Sequence, residues 1–169
     1  MIRIAVDAMG GDYAPREIVH GAVLAAREYG LAILLVGPPE QVDSELKRHD
    51  TRGLDIQLVP ASEVVGMDEN PSRAVLKKKD SSIVVATRQI HEGKADAVVA
   101  AGSTGAAAVS AQITLGRIAN VDRAPVACVM PTINPERLAI LVDVGANKDC
   151  DTKQLFPFEL MGSVLDEGI

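Results

Sequence analysis

Apolar positions along this chain alternate between short runs and longer stretches striped at helical spacing. Residues 2–6, 32–36, 54–59 and 97–101 are the runs, and they read as strands, the last one buried on both faces of a parallel sheet. After Pro15, residues Ile18, Ala22, Ala25 and Tyr29 with Val19, Val23 and Ala26 make one helical stripe ended by Gly30, leaving His20 at the surface. Gly37-Pro38-Pro39 opens a more polar helix to about His49. A charged segment from Pro71 continues into a helix over 81–92, with Ile83, Val84, Thr87 and Ile90 to bury, and Gly93 ends it. Small residues after Gly105 predict a helix that packs closely on the sheet it has just left. Two further runs, 124–130 and 138–142, flank a polar joint and suit an antiparallel hairpin, and 152–165 reads as a last amphipathic helix.

Strand and helix in turn with short joints predict parallel strands and crossovers, hence an α/β fold. A length of 169 residues suits one domain over 1–169. Hydrophobic residues make up 47% and aromatics only 2%, so the core must come from Ala, Val, Ile and Leu. A formal net charge of −6 argues against general attraction to nucleic acid or anionic lipid, while leaving room for a local basic patch. The two cysteines form no CxxC and there is no histidine cluster, so neither a disulfide framework nor a metal site is suggested; a reducing cytoplasm fits. Cys128 reads as core, and Cys150 as more exposed and lacking a partnered histidine. No apolar run approaches the ~20 residues needed to span a bilayer.

Candidate chemistry sits in the strand-end loops. Gly102-Ser103-Thr104-Gly105 lies between strand and helix, where free N–H groups, the helix dipole and two hydroxyls suit a phosphate or carboxylate; an ordinary loop capped by Ser103 or Thr104 reads equally well. The spacing satisfies neither GxGxxG nor a P-loop, so no nucleotide is implied. Asp7 ends the first strand before Gly10 and Gly11, placed to orient a ligand or cap nearby N–H groups; Asp12 is a turn residue. Arg73 with Lys77, Lys78 and Lys79 is the densest positive charge, either a solvated helix face or a site for phosphate or an acidic partner. His91, near a helix end, reads as a dipole contact. Another polar strand end follows 138–142, running from Asp143 through Gly145 and Asn147 to Asp151.

Taken in order, VDAMGGD at 6–12, ENPSRAVLKKKDSS at 69–82, AGSTGA at 101–106 and DVGAN at 143–147 resemble the successive signatures of the bacterial phosphate acyltransferases of phospholipid synthesis. The resemblance covers the whole chain and implies a three-layer α/β/α sandwich, with a mostly parallel sheet and an antiparallel hairpin, related to isocitrate and isopropylmalate dehydrogenases and phosphate acetyltransferase. It implies transfer of an acyl group from acyl carrier protein to orthophosphate, giving acyl phosphate and free carrier, without a cofactor. It also implies a longer chain of which these residues are the N-terminal part, a homodimer in the cytoplasm, peripheral membrane association and a possible glycerol-3-phosphate acyltransferase partner.

Phosphate can itself attack a thioester, so such an enzyme needs positioning and charge stabilisation rather than a Ser or Cys nucleophile. The expected catalytic residues are Lys78, Asp7 and Asn147. Gly10, Gly11, Arg73, Lys77, Lys79, Gly102, Ser103, Thr104, Gly105 and Asp143 are expected around phosphate or substrate. Two other readings stay open here: an NAD(P)-dependent dehydrogenase of the same fold, and a carrier-binding fragment without turnover.

Overall fold

The computed structural model describes residues 1–134, 137–145, 147 and 149–168. The chain forms two compact units, Met1–Leu115 and Gly116–Ile169.

The first unit runs β1 (Arg3–Asp7), α1 (Arg16–Tyr29), β2 (Ala32–Gly37), α2 (Pro39–Leu46), β3 (Ile56–Pro60), α3 (Pro71–Lys77), α4 (Ser82–His91), β4 (Ala97–Val99) and α5 (Thr104–Leu115). Its strands form one parallel sheet in the order β3-β2-β1-β4, with Asp7 opposite Val36 and Val6 opposite Val99. β2 is buried along its whole length, as its uncharged run AILLVG requires.

Helices cover both faces of this sheet. On one, Val6, Ile33 and Leu35 pack with Val19, Ala22 and Ala26 of α1 and Val42 of α2. On the other, Ala5, Leu34 and Val36 meet Val85 and Ala86 of α4. α3 and α5 pack beyond α4 through Val75, Ile83, Val84 and Ala106. A buried polar link joins α4 and α5: Ser110 donates to Thr87 Oγ1 at 3.0 Å and Thr87 donates to the Ile83 carbonyl at 2.8 Å. Gly30 stops α1 in the left-handed region at φ 63°.

In this unit the following expectations change. The strand at 97–101 shrinks to three residues that, among the described residues, lie on the edge of the sheet and pair with β1 alone, and Val99 is 53% exposed. α2 ends at Leu46, and Lys47, Arg48 and His49 continue as turns whose N–H groups reach back to Asp43, Glu45 and Leu46. The charged segment is not continuous with the helix after it, because residues 78–81 turn and Ser81 bridges to Glu63 instead.

The second unit holds β5 (Ala127–Pro131), β6 (Leu138–Val142) and α6 (Thr152–Asp166). The hairpin is antiparallel as expected, with Ala127 opposite Val142 and Pro131 opposite Leu138, and it forms a sheet of its own. Cys128 is half-buried there rather than core, because a two-stranded sheet has little interior; Cys150 is equally half-buried. α6 opens on a capping box between Asp151 and Gln154. Among the described residues, no helix is long and apolar enough to cross a membrane.

Candidate functional site

β1 delivers Asp7 to its carboxyl end, where the side chain is buried at 4% exposure. Its Oδ1 accepts the Met9 N–H at 3.1 Å, which turns the chain sharply into Gly10 and Gly11. Burial pushes the Asp7 carboxyl above its usual value, against the opposing pull of hydrogen bonds from the Ser82 hydroxyl and the Met9 and Gly10 amides. Ser82, the first residue of α4, is itself fully buried.

The glycine loop and the GSTG turn pack backbone to backbone. A Cβ on Gly10 would lie 2.8 Å from both the Gly102 nitrogen and Asp7 Oδ2, and one on Gly11, whose φ is 99°, would lie 2.9 Å from the Ala101 carbonyl oxygen. Glycine is required at both positions, by contact at the first and by contact and backbone geometry at the second. On the other side of the turn, a Cβ on Gly105 would sit 2.7 Å from Cγ of Pro71, the first residue of α3. Ser103 Oγ accepts the Ala106 N–H at 3.3 Å and so caps α5, while Thr104 is exposed beside it. The ends of β1 and β4 and the starts of α3, α4 and α5 thus meet, carrying three of the four sequence motifs.

The basic segment divides in two. Lys78 Nζ donates to Glu69 Oε1 at 2.5 Å and to the Val64 carbonyl at 2.8 Å. The same Glu69 oxygen accepts the Gly66 N–H at 2.7 Å, so one carboxylate gathers loop 64–70 around the lysine. That lysine, followed by the hydrogen bond from Gly66, holds the Glu69 carboxyl below its usual value. Arg73 and Lys77, by contrast, are exposed on α3 and border a hollow of about 230 Å³ together with Asn70, whose Oδ1 caps the helix at the Arg73 N–H. Lys79 is exposed in the turn that follows.

Asp143 and Asn147 belong to the second unit and bind each other. Asp143 Oδ2 accepts the Asn147 N–H at 2.7 Å and its Nδ2 at 3.0 Å, while Oδ1 accepts the Val126 N–H at 2.9 Å. Asn147 Nδ2 also donates to the Ala124 carbonyl at 3.1 Å. The DVGAN turn is thereby tied to the segment that leads into β5; Ala146 of that motif lies outside the described residues.

Sequence reasoning missed Glu69 and Ser82. Glu69 stands directly before the Asn-Pro that starts α3, and an acid there, within reach of a lysine on the far end of so short a helix, was the available signal. Ser82 meets Asp7 only through the tertiary fold.

A family model described as "Fatty acid synthesis protein" matches residues 2–169. The chain belongs to that family. It is 52% identical over its whole length to a protein named Phosphate acyltransferase from Desulforamulus reducens, of which it spans 50%. Relatives of the same name from Pelotomaculum thermopropionicum and Trichodesmium erythraeum are 52% and 44% identical over 95% and 99% of this chain, which spans 46% and 49% of their lengths. The chain therefore spans about half the length of the curated relatives it matches.

Proposed function

We propose that this chain contributes the phosphate-handling part of a phosphate acyltransferase, which moves an acyl group from acyl carrier protein to orthophosphate. The observation that carries the reading is the packing of Gly10 and Gly11 against Ala101 and Gly102, with Pro71 against Gly105. This packing holds the GSTG turn at the carboxyl end of a parallel sheet, where α/β proteins bind ligands. Relatives named Phosphate acyltransferase over the whole of this chain support the same reading.

In this account the first N–H groups of α5 and the Thr104 hydroxyl hold orthophosphate. An oxygen of hydrogen phosphate attacks the thioester carbonyl and forms the acyl–oxygen bond, the C–S bond breaks, and the carrier leaves as thiolate and takes the proton that the phosphate gives up. Fixed donors stabilise the charge that develops, each worth ~3 kcal/mol in the barrier. Asp7 positions the glycine loop through the Met9 and Gly10 amides, and Lys78 with Glu69 holds the approach to Pro71. Asp143 and Asn147, in the second unit, are proposed as site residues of the whole enzyme through the turn they hold. The reading extends to a three-layer dehydrogenase-like fold, a single domain completed by the rest of a longer chain, homodimerisation, peripheral membrane association and a glycerol-3-phosphate acyltransferase as consumer of the product.

The test is a chimera in which this chain replaces the matching half of the Desulforamulus reducens relative. Acyl phosphate trapped with hydroxylamine should form from acyl-carrier protein only when orthophosphate is present. No product from a folded chimera, with the relative itself active in the same assay, overturns the reading for this chain.

A further inference from the structure

We propose that the face of α3 carrying Arg73, Leu76 and Lys77, continued by Lys79, is a docking surface for an acidic protein, the acyl carrier protein. The choice of partner rests on the acyl-transfer reading above; the surface is argued from charge and packing. Among the described residues of the first unit, every other lysine and arginine ends on a carboxylate or a backbone carbonyl. Arg73, Lys77 and Lys79 have no such partner. The acids that flank α3 most closely in sequence are engaged elsewhere: Glu69 by Lys78, and Asp80 by the Ser62 N–H and hydroxyl at 2.9 and 2.6 Å. Three uncompensated cations within seven residues thus face solvent in a chain whose net charge is −6.

Arg73, Leu76 and Lys77 share one helix face by their spacing of three and four. Leu76 is 58% exposed between the two cations. An apolar centre with a charged rim is the anatomy of a protein contact, and the charges would speed encounter with an acidic partner. A lipid surface fits less well, because a helix of seven residues with one outward leucine offers too little apolar area to sink into a bilayer. The opposite end of α3 packs on the GSTG turn through Pro71, so a carrier seated here would deliver its acyl group within about two helical turns, ~10 Å, of that turn.

The experiment titrates this chain with acyl carrier protein by calorimetry at low and high salt. Binding should weaken as salt rises, and Arg73→Glu with Lys77→Glu should weaken it by at least about tenfold at low salt while removing most of the salt dependence. Leu76→Ala should weaken it at all salt concentrations alike. In the chimera, the charge-reversed variant should lose at least tenfold more kcat/KM with acyl-carrier protein than with a small acyl thioester. Affinity unchanged by charge reversal, no binding by the wild-type chain, or equal losses with both donors would overturn the docking surface. Binding to phosphatidylglycerol vesicles without binding to the carrier would also overturn it, in favour of lipid. A chimera that makes no acyl phosphate from either donor refutes the transfer reading instead, and the calorimetric result still judges the surface.

Discussion

Gly10 and Gly102 stand so close that neither can carry a side chain: a Cβ on Gly102 would lie 2.9 Å from the Gly10 Cα, and one on Gly10 would lie 2.8 Å from the Gly102 nitrogen. The obstacle is backbone on each side, which cannot swing away. Gly102→Ala should therefore destabilise the first unit by about 1–3 kcal/mol, the usual cost of overpacking. Gly21→Ala is the contrast, since nothing lies within 4 Å of its Cβ position in α1, and there the change should stabilise by about 0.5–1 kcal/mol. Urea melts of the two variants check both; a neutral Gly102→Ala would mean that the loops do not touch.

Ser103 serves the helix before it serves a ligand. Its Oγ caps the Ala106 N–H, so Ser103→Ala should cost about 1 kcal/mol of stability, whereas Thr104→Ala, at an exposed position without such a bond, should cost little. Thermal melts that rank the two variants the other way would contradict the assignment.

Two carboxyls of this region shift in opposite directions and should leave opposite marks on stability. Asp7 is raised by burial, so its contribution is fully present below its ordinary value of 3.8 and is lost as pH rises through the raised value. Relative to Asp7→Asn, the wild type should therefore lose stability on going from acid to neutral pH. Glu69 is lowered, first by Lys78, so its contribution is present above 4.5 and is lost as pH falls through the lowered value. Glu69→Gln should accordingly flatten the acid arm of the stability profile. Denaturation followed from pH 3 to 7, a range about these ordinary carboxylate values, separates the two effects, and slopes of the same sign would contradict the assignment.

In the second unit, the donors that Asp143 satisfies include the Val126 and Asn147 N–H groups and the Asn147 amide. Asp143→Ala strips these bonds and should cost about 1–3 kcal/mol. Hydrogen exchange at the Val126 and Asn147 amides should accelerate; unchanged protection would show that the turn is held by something else.

Much of the first unit was legible in the sequence. The run at 32–36 read as a strand and is one, buried along its length, and the α1 stripe ended where Gly30 permitted a left-handed stop. The edge position of β4 was not legible, because residues 97–101 are equally apolar whether one neighbouring strand or two lie beside them. The glycine loops were readable as turns, but that Gly10 meets Gly102 depends on β1 and β4 being paired. The basic segment misled for a physical reason. Four cations in seven residues look alike in sequence, yet loop 64–70 folds back to place Glu69 on Lys78 and leaves the other three free.

The most direct test of the proposed phosphate site is the KM for orthophosphate of the chimera carrying Thr104→Ala, a change that spares the helix cap. The account predicts a rise of at least about tenfold, a lost hydrogen bond to a charged group being worth about 1.5–3 kcal/mol, with a much smaller change in the KM for acyl-carrier protein. An orthophosphate KM equal to that of the unsubstituted chimera would contradict it.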